Sequence, residues 1–328
     1  MQKRVLGKSG LEVSPIGLGC WAIGGPWTFG SDEDRWQAGW GQIDDAESVR
    51  AIHAGLDLGI NFLDTAANYG AGHSECVLAQ ALAGKREEVV VATKFGFLVN
   101  EDTKDVGLDD DAIVGNIRQD CEDSLRRLGT DYIDIFQLHQ GGLDREKAPA
   151  VMDVLEELVK EGKIRWYGWS TDDHENAAVF AKGERCTSIQ FDLNVFRDNP
   201  EIRQICADAD LGGINKSPLN RGILTGKFDE SSTFPEDDIR HGLSFTEGIG
   251  AERLEQLEKV REILTSNGHS LAQGSLAYIW ALDERMVPIP GFKTVAQVQE
   301  NAKAMELGPL EGEQVKEIQS ILNGQEAN

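Results

Sequence analysis

Long apolar runs are missing from this chain. Nowhere do about 18 apolar residues follow one another, so no transmembrane helix is expected. The first residues, MQKRVLGKSGLEV, contain no apolar core of a signal peptide, and the expectation is a cytoplasmic protein without an export signal. Cysteine is scarce: Cys20, Cys76, Cys121, Cys186 and Cys206 are scattered, odd in number and never spaced C-x-x-C. That usage points to reduced thiols and implies no metal site. Positive charge is also short, with 32 Lys and Arg against 56 Asp and Glu, a net charge of −24. Such a field repels nucleic acid and anionic membrane surfaces, so neither is expected as a partner. The acid excess itself reads as a solvated surface or as adaptation to a salty host, and charge alone does not choose. Linkers, low-complexity stretches and internal repeats are absent too, so residues 1–328 read as a single domain. The oligomeric state stays open.

What is present alternates. Short β-branched runs at 16–19, 60–65, 89–95, 132–139, 164–170, 188–194, 213–219 and 286–290 predict eight strands. Helical periodicity fills 45–58, 109–128, 148–161, 173–182, 201–210, 252–264 and 295–305. Strand and helix in alternation imply a parallel sheet, and eight units favour a closed (β/α)8 TIM barrel over a doubly wound sheet. RVLGKSGLEV predicts a β-hairpin turning at Lys8-Ser9-Gly10 that caps the barrel floor, and 312–322 predicts an extra C-terminal helix outside. Two stretches, 24–42 and 226–242, read as loop insertions.

Barrel chemistry gathers where strands finish. The run INFLDTAANYG ends a strand at Asp64 and places Tyr69 one loop beyond; VVVATKFG ends in Lys94, and YIDIFQLHQ in His139. Ser170, Gln190, Asn194 and Ser217 mark the next three strand ends. A lone Lys or Asp at such a place is ordinarily a surface or capping residue. An acid, a lysine and a histidine closing three consecutive strands meet at one mouth. Tyrosine, with an unperturbed pKa of about 10, is a poor acid at neutrality. A neighbouring ammonium favours phenolate and is expected to lower that value, a carboxylate holds the ammonium, and a histidine orients a carbonyl. This is equipment for adding a proton to a carbonyl oxygen.

In order and spacing, DTAANYG, the lysine of VATKFG and the histidine of QLHQ resemble the catalytic tetrad of the aldo-keto reductases. The resemblance runs from GLGCW to IPGFKTVAQVQEN and is closest to the bacterial branch of stress-induced and inositol-cluster reductases. It implies that Tyr69 donates the proton, that Lys94 and Asp64 tune it, and that His139 positions the carbonyl. It also implies a nicotinamide cofactor, NADP(H) in preference to NAD(H), which remains possible, and a small-molecule carbonyl substrate. At matching positions Trp21 and Asp64 lie near the nicotinamide, and Ser170 and Gln190 bind its carboxamide. Ser217, Leu219, Arg221 and Lys227 take the pyrophosphate region, with Arg240 in a loop closing over it. Gly291, Lys293, Gln297, Glu300 and Asn301 surround the adenosine end, and Lys293 with Arg240 resembles a 2′-phosphate site.

Three positions depart from the family pattern: Thr171 stands where Asn is frequent, and Leu193 and Lys216 where aromatics are frequent. GLGCWA at 17–22 nominally matches a G-x-G-x-x-A fingerprint, but no helix follows it and the Rossmann reading fails. The leading expectation is therefore NADPH-dependent reduction of small aldehydes and ketones, with the reverse alcohol oxidation. Two other classes are a cofactor-binding, slowly turning redox-sensing subunit and a Schiff-base lyase built on Lys94. Trp27, Phe29, Trp36 and Trp40 of the first insertion read first as a packed lid over the barrel; read instead as a pocket wall, with Asn68, Asp32, Asp34 and Gln37, they suggest an uncharged, hydroxylated substrate. An acidic mouth is expected to slow anionic ones.

Overall fold

Eight short strands pair side by side in chain order around a ring: β1 (Leu18–Gly19), β2 (Phe62–Asp64), β3 (Val90–Phe95), β4 (Ile133–Leu138), β5 (Ile164–Ser170), β6 (Cys186–Asp192), β7 (Gly212–Lys216) and β8 (Met286–Pro288). Every pairing in the ring is parallel. The ring closes through a parallel bridge between Gly19 and Gly291, with Gly17 N–H donating to Pro288 O at 2.9 Å and Gly19 N–H to Pro290 O at 3.1 Å. Gly19 is required at this seam, because a Cβ there would run into the carbonyl of Ile289. The result is the expected (β/α)8 barrel, seen in a computed structural model that describes residues 2–30 and 34–324.

Outside the ring lie α1 (Asp45–Asp57), α2 (His73–Ala81), α3 (Ile113–Leu128), α4 (Ala148–Lys160), α5 (His174–Phe180), α6 (Pro200–Asp208), α7 (Gly248–Leu264), α8 (Leu271–Leu282), α9 (Val295–Leu307) and α10 (Gly312–Asn323). Two of these the helical pattern missed. Helix α2 buries Ser74 and Glu75 beside Val77, Leu78 and Ala81, so its inward face carries no clean apolar stripe. Helix α8 is buried around most of its circumference, so it shows no apolar stripe. Its start was nonetheless written in the sequence: Ser270 and Gln273 form a reciprocal capping box.

Side chains pointing into the barrel follow a period of two, and they change character with height. The lower layer is apolar: Phe62, Val90, Ala92, Ile135, Ile214 and Val287 pack with Leu6, Leu11 and Val13 of the N-terminal hairpin. That hairpin pairs Arg4–Val5 with Glu12–Val13 through a 3-10 turn at Gly7–Ser9, and it plugs the floor as expected. One step higher in the same phase stand Asp64, Lys94 and Gln137, and Ser170 and Gln190 are neighbours in register. The floor is thus closed by hydrophobic burial, and the polar layer is left at the strand ends.

The first insertion is more than a loop. Thr28–Phe29 and Trp36–Gln37 form a small sheet with Leu98–Asn100 and Asp105–Gly107, from the segment after β3. Trp27, Ala38, Ala71 and Val106 are buried beneath this lid with Trp21, Phe29 and Phe97 against them. Strand β7 stops at Lys216, short of the expected 219, because Ser217, Asn220 and Arg221 adopt left-handed φ of 51°, 46° and 52°. None of the helices among the described residues is long and apolar enough to cross a membrane.

Candidate active site

Tyr69 is placed by a close backbone approach. Gly70, at φ 63°, lies against the backbone of Gly24, and a Cβ at position 70 would overlap the Gly24 carbonyl. The loop after β2 is thereby pressed onto the segment after β1. Tyr69 is turned over the barrel axis, with its ring stacked on Trp21 at 5.7 Å between centroids and 18° between planes.

Beneath the ring lies Lys94, fully buried at the top of β3. Its Nζ donates to Asp64 Oδ1 at 2.6 Å and to the Thr65 carbonyl at 2.8 Å, and it reaches the Tyr69 hydroxyl at 3.3 Å. The other carboxylate oxygen of Asp64 accepts from Gln190 Nε2 at 2.7 Å and from Gln137 Nε2 at 3.2 Å. Ser170 Oγ in turn donates to Gln190 Oε1 at 3.4 Å. Gln137 was not anticipated, although it stands two residues before His139 and therefore shares its inward phase.

Burial pushes the Tyr69 phenol well above its ordinary value, and the charge of Asp64 adds to the rise. This corrects the expectation of a lowered phenol: the carboxylate that holds Lys94 offsets the ammonium's pull, and desolvation then decides. Burial likewise lowers Lys94 below the usual lysine value, against the opposing charge of Asp64. His139 is driven well below the usual histidine value by burial first, then by the charges of Lys94 and Lys216, so its imidazole is neutral. Its Nδ1 lies 2.9 Å from Asn68 Oδ1, and its ring stands edge-on to Tyr69 at 5.6 Å.

These residues open onto a cavity of about 560 Å³, a size typical of small-molecule sites, which run to about 300–1,000 Å³. Trp21, Asp64, Tyr69, His139, Ser170 and Gln190 form part of its wall, with Lys94 hidden below them. Ser217, Leu219, Arg221, Lys227 and Arg240 also line it, as do Gly291, Lys293, Gln297, Glu300 and Asn301. Asn194 does not line it; its side chain holds the Ser217 carbonyl at 3.1 Å. The aromatic roof includes Trp27, Phe29, Trp36, Trp40 and Phe97. Asp34 and Gln37 are exposed and off the cavity wall, and Asp32 lies outside the described residues.

Charge on this wall reverses that of the chain. Lys216, Arg221, Lys227, Arg240 and Lys293 face three carboxylates, those of Asp64, Asp192 and Glu300. The expected acidic mouth is therefore not what a ligand meets inside. Burial and the nearby charges of Arg240 and Lys293 hold Lys227 below the usual lysine value. Cations forced together in this way are relieved by a multiply charged anion.

Across the same end the two insertions join. Ile239 N–H donates to Gly39 O at 2.7 Å and Gly41 N–H to Asp237 O at 3.0 Å, an antiparallel bridge between Trp40 and Asp238. Lys293 Nζ donates to the Trp40 carbonyl, and Asp238 grips Arg240 with both oxygens, at 2.8 and 2.6 Å. The Arg240 guanidinium packs on the Trp40 ring at 4.8 Å and on Phe234 at 4.2 Å. Trp40 meets Trp21 edge-on at 5.3 Å. Ring contacts therefore connect the cationic end to Tyr69.

Comparison with known proteins agrees with this geometry. A sequence profile described as the Aldo/keto reductase family matches residues 15–323. The aldo-keto reductase YhdN of Bacillus subtilis is 35% identical over 292 residues, covering 87% of this chain and 82% of that protein. The solved structure of the glycerol dehydrogenase AKR11B4 from Gluconobacter oxydans superposes with a TM-score of 0.83 at 32% identity, covering 100% of this chain and 97% of that one. An aldo-keto reductase from Klebsiella pneumoniae in complex with NADPH gives a TM-score of 0.70 at 25% identity, covering 98% and 96%.

Proposed function

The chain belongs to the aldo/keto reductase family, and on that premise we propose that it reduces small aldehydes and ketones with NADPH, taking the proton from Tyr69, in the cytoplasm. One observation carries the reading. The Asp64–Lys94–Tyr69 cluster opens onto a cavity whose remaining charge is cationic in a chain of net charge −24. The residues present suit a nicotinamide dinucleotide. Ser170 and Gln190 offer an amide-binding pair on adjacent strands, and Arg221, Lys227, Arg240 and Lys293 offer charge to phosphates. The NADPH complex of the Klebsiella relative supports the choice of cofactor. When bound, that cofactor supplies the hydride.

The rest of the chemistry belongs to side chains. Tyr69 holds its proton through neutrality, because burial and Asp64 keep the phenol protonated. As the proton leaves for a carbonyl oxygen, the phenolate forms 3.3 Å from the Lys94 ammonium, whose position Asp64 and the Thr65 carbonyl fix. Charge that develops in the transition state thus meets a preorganised cation in a dry site. The neutral His139 ring orients the carbonyl beside the Tyr69 hydroxyl, and the stacked Trp21 limits tilting of the phenol. Alcohol oxidation uses the same groups in reverse: the Tyr69 phenolate takes the proton of the alcohol, so that direction improves at alkaline pH.

For substrate we favour a small hydroxylated carbonyl such as glyceraldehyde. The indole N–H groups of Trp27 and Trp40 are buried without partners among the described residues, and both rings line the cavity. Such donors suit hydroxyl groups. The glycerol dehydrogenase relative points the same way. The test is NADPH oxidation with glyceraldehyde by Tyr69→Phe, which should lower turnover by at least about 100-fold, since general acid catalysis is worth about 10²–10⁴. Retention of more than about a tenth of the rate rejects the assignment of the proton donor.

A further inference from the structure

We infer that Asn68 sets which ring nitrogen of His139 carries the proton, and so whether the ring offers a hydrogen bond to a carbonyl or takes one from a hydroxyl. The inference rests on the reductase reading above, but its first readout is independent of turnover.

Asn68 is 5% exposed and immediately precedes Tyr69. Its Oδ1 lies 2.9 Å from His139 Nδ1, and no other side-chain hydrogen bond joins Asn68 among the described residues. The His139 ring is held between Tyr69, edge-on at 5.6 Å and 81°, and Phe97, edge-on at 5.2 Å and 78°. With its plane clamped and Nδ1 engaged, Nε2 is the nitrogen left to a cavity-lining ring. The groups facing that ring are Tyr69, Lys94 and Asp64 from β2 and β3 with their loops, and Lys216 from β7; the lysine charges and burial keep it neutral.

A neutral imidazole has one N–H to share between two nitrogens. If the Asn68 oxygen faces Nδ1, then Nδ1 must donate, and Nε2 is bare and accepts. If the carboxamide turns by half a rotation, its NH2 donates to Nδ1, and the proton moves to Nε2 by exchange with water. The two ends are alike in size, and neither has another side-chain partner to lose, so the turn costs no bond. A carbonyl substrate needs the Nε2–H form and an alcohol needs the bare one. An asparagine serves both; an aspartate in its place accepts only and locks the first.

The experiment compares Asn68→Asp and Asn68→Leu with wild type. It reads the ¹⁵N resonances of His139 and the steady-state kinetics in both directions between pH 6 and 9. Asn68→Asp should show a pyridine-like Nε2 at pH 8 and lose about 100-fold in reductive kcat, the scale of removing one preorganised donor. It should recover as pH falls and a second proton joins the ring, while oxidative kcat changes by only a few-fold. Asn68→Leu leaves imidazole to its intrinsic preference for Nε2–H, and should therefore reduce faster than the isosteric Asn68→Asp. A packing role predicts the opposite order and losses equal in both directions at every pH. That result, or an Nε2 that is still protonated in Asn68→Asp at pH 8, overturns the inference. If wild type reduces no carbonyl at all, the proposed function fails while the ¹⁵N spectra still decide the tautomer.

Discussion

Replacing Lys94 with methionine keeps most of the length of the side chain and deletes its charge, and the structure allows the consequence to be sized. Asp64 would keep its amide donors, Gln190 at 2.7 Å and Gln137 at 3.2 Å, but would lose a 2.6 Å ion pair in a site with almost no solvent. Breaking a buried pair from one side costs about 3–5 kcal/mol, because the remaining charge is stranded. The two amides soften that here, so we expect Lys94→Met to lose about 3 kcal/mol of unfolding free energy. Asp64→Asn strands the ammonium instead, though the Thr65 carbonyl at 2.8 Å still accepts from it, and should cost a similar amount. The double variant strands nothing and should be about as stable as either single one or better, a coupling on the order of 2–3 kcal/mol. Urea unfolding of the four proteins at pH 7 closes the cycle. Turnover should be lost in all three variants, since restoring stability restores no cation beside the Tyr69 hydroxyl. Additivity of the single effects within about 0.5 kcal/mol, the margin found for independent sites, would refute the reasoning.

Asp120 offers a gain. Burial raises its carboxyl from 3.8 to about 6, so holding it ionised above that pH costs about 3 kcal/mol at one pKa unit per 1.36 kcal/mol. Asp120→Asn can still accept the 3.3 Å bond from Gly96 N–H. It should raise stability at pH 7 and give little gain at pH 3.5, where the acid is mostly protonated folded or unfolded; an equal gain at both pH values would show another cause. At the cationic end, Lys293→Ala should weaken NADPH binding by about 10-fold, a loss of roughly 1.4 kcal/mol, and leave NADH nearly unchanged. Equal losses for both cofactors, followed by tryptophan fluorescence, would mean that Lys293 acts only by tying down the Trp40 carbonyl.

The barrel and its polar rim were readable because both rest on local patterns. Eight β-branched runs ending in Asp64, Lys94, His139, Ser170 and Gln190 needed only the period of a strand and the rule that strand ends carry function. Gln137 is readable by the same period, two residues before His139. The lid sheet was not readable, since its strands are two or three residues long and pair segments from two different loops. The charge reversal on the cavity wall was hidden for a similar reason. Its cations lie between positions 216 and 293; the family resemblance grouped Arg221, Lys227, Arg240 and Lys293, but only the fold adds Lys216 and shows how few carboxylates face them. The height of the Tyr69 pKa was misjudged because local chemistry named the ammonium, while burial is a property of the finished structure.

The seam of the ring bears on the order in which the protein is made whole. Its neighbouring strands pair across one connection each, but β1 and β8 meet from opposite ends of the described chain, through glycines and a few backbone bonds. Contacts so distant in sequence demand the largest loss of chain entropy and form late. Trp21 follows one lip of this seam, and Gly291 and Lys293 follow the other, so a dinucleotide bound as proposed would span the last joint to close. Ligand that binds only the closed ring holds it shut by mass action. The cofactor would then be a staple as well as a reagent, and amide exchange at Gly17 and Gly19 is where its grip would register.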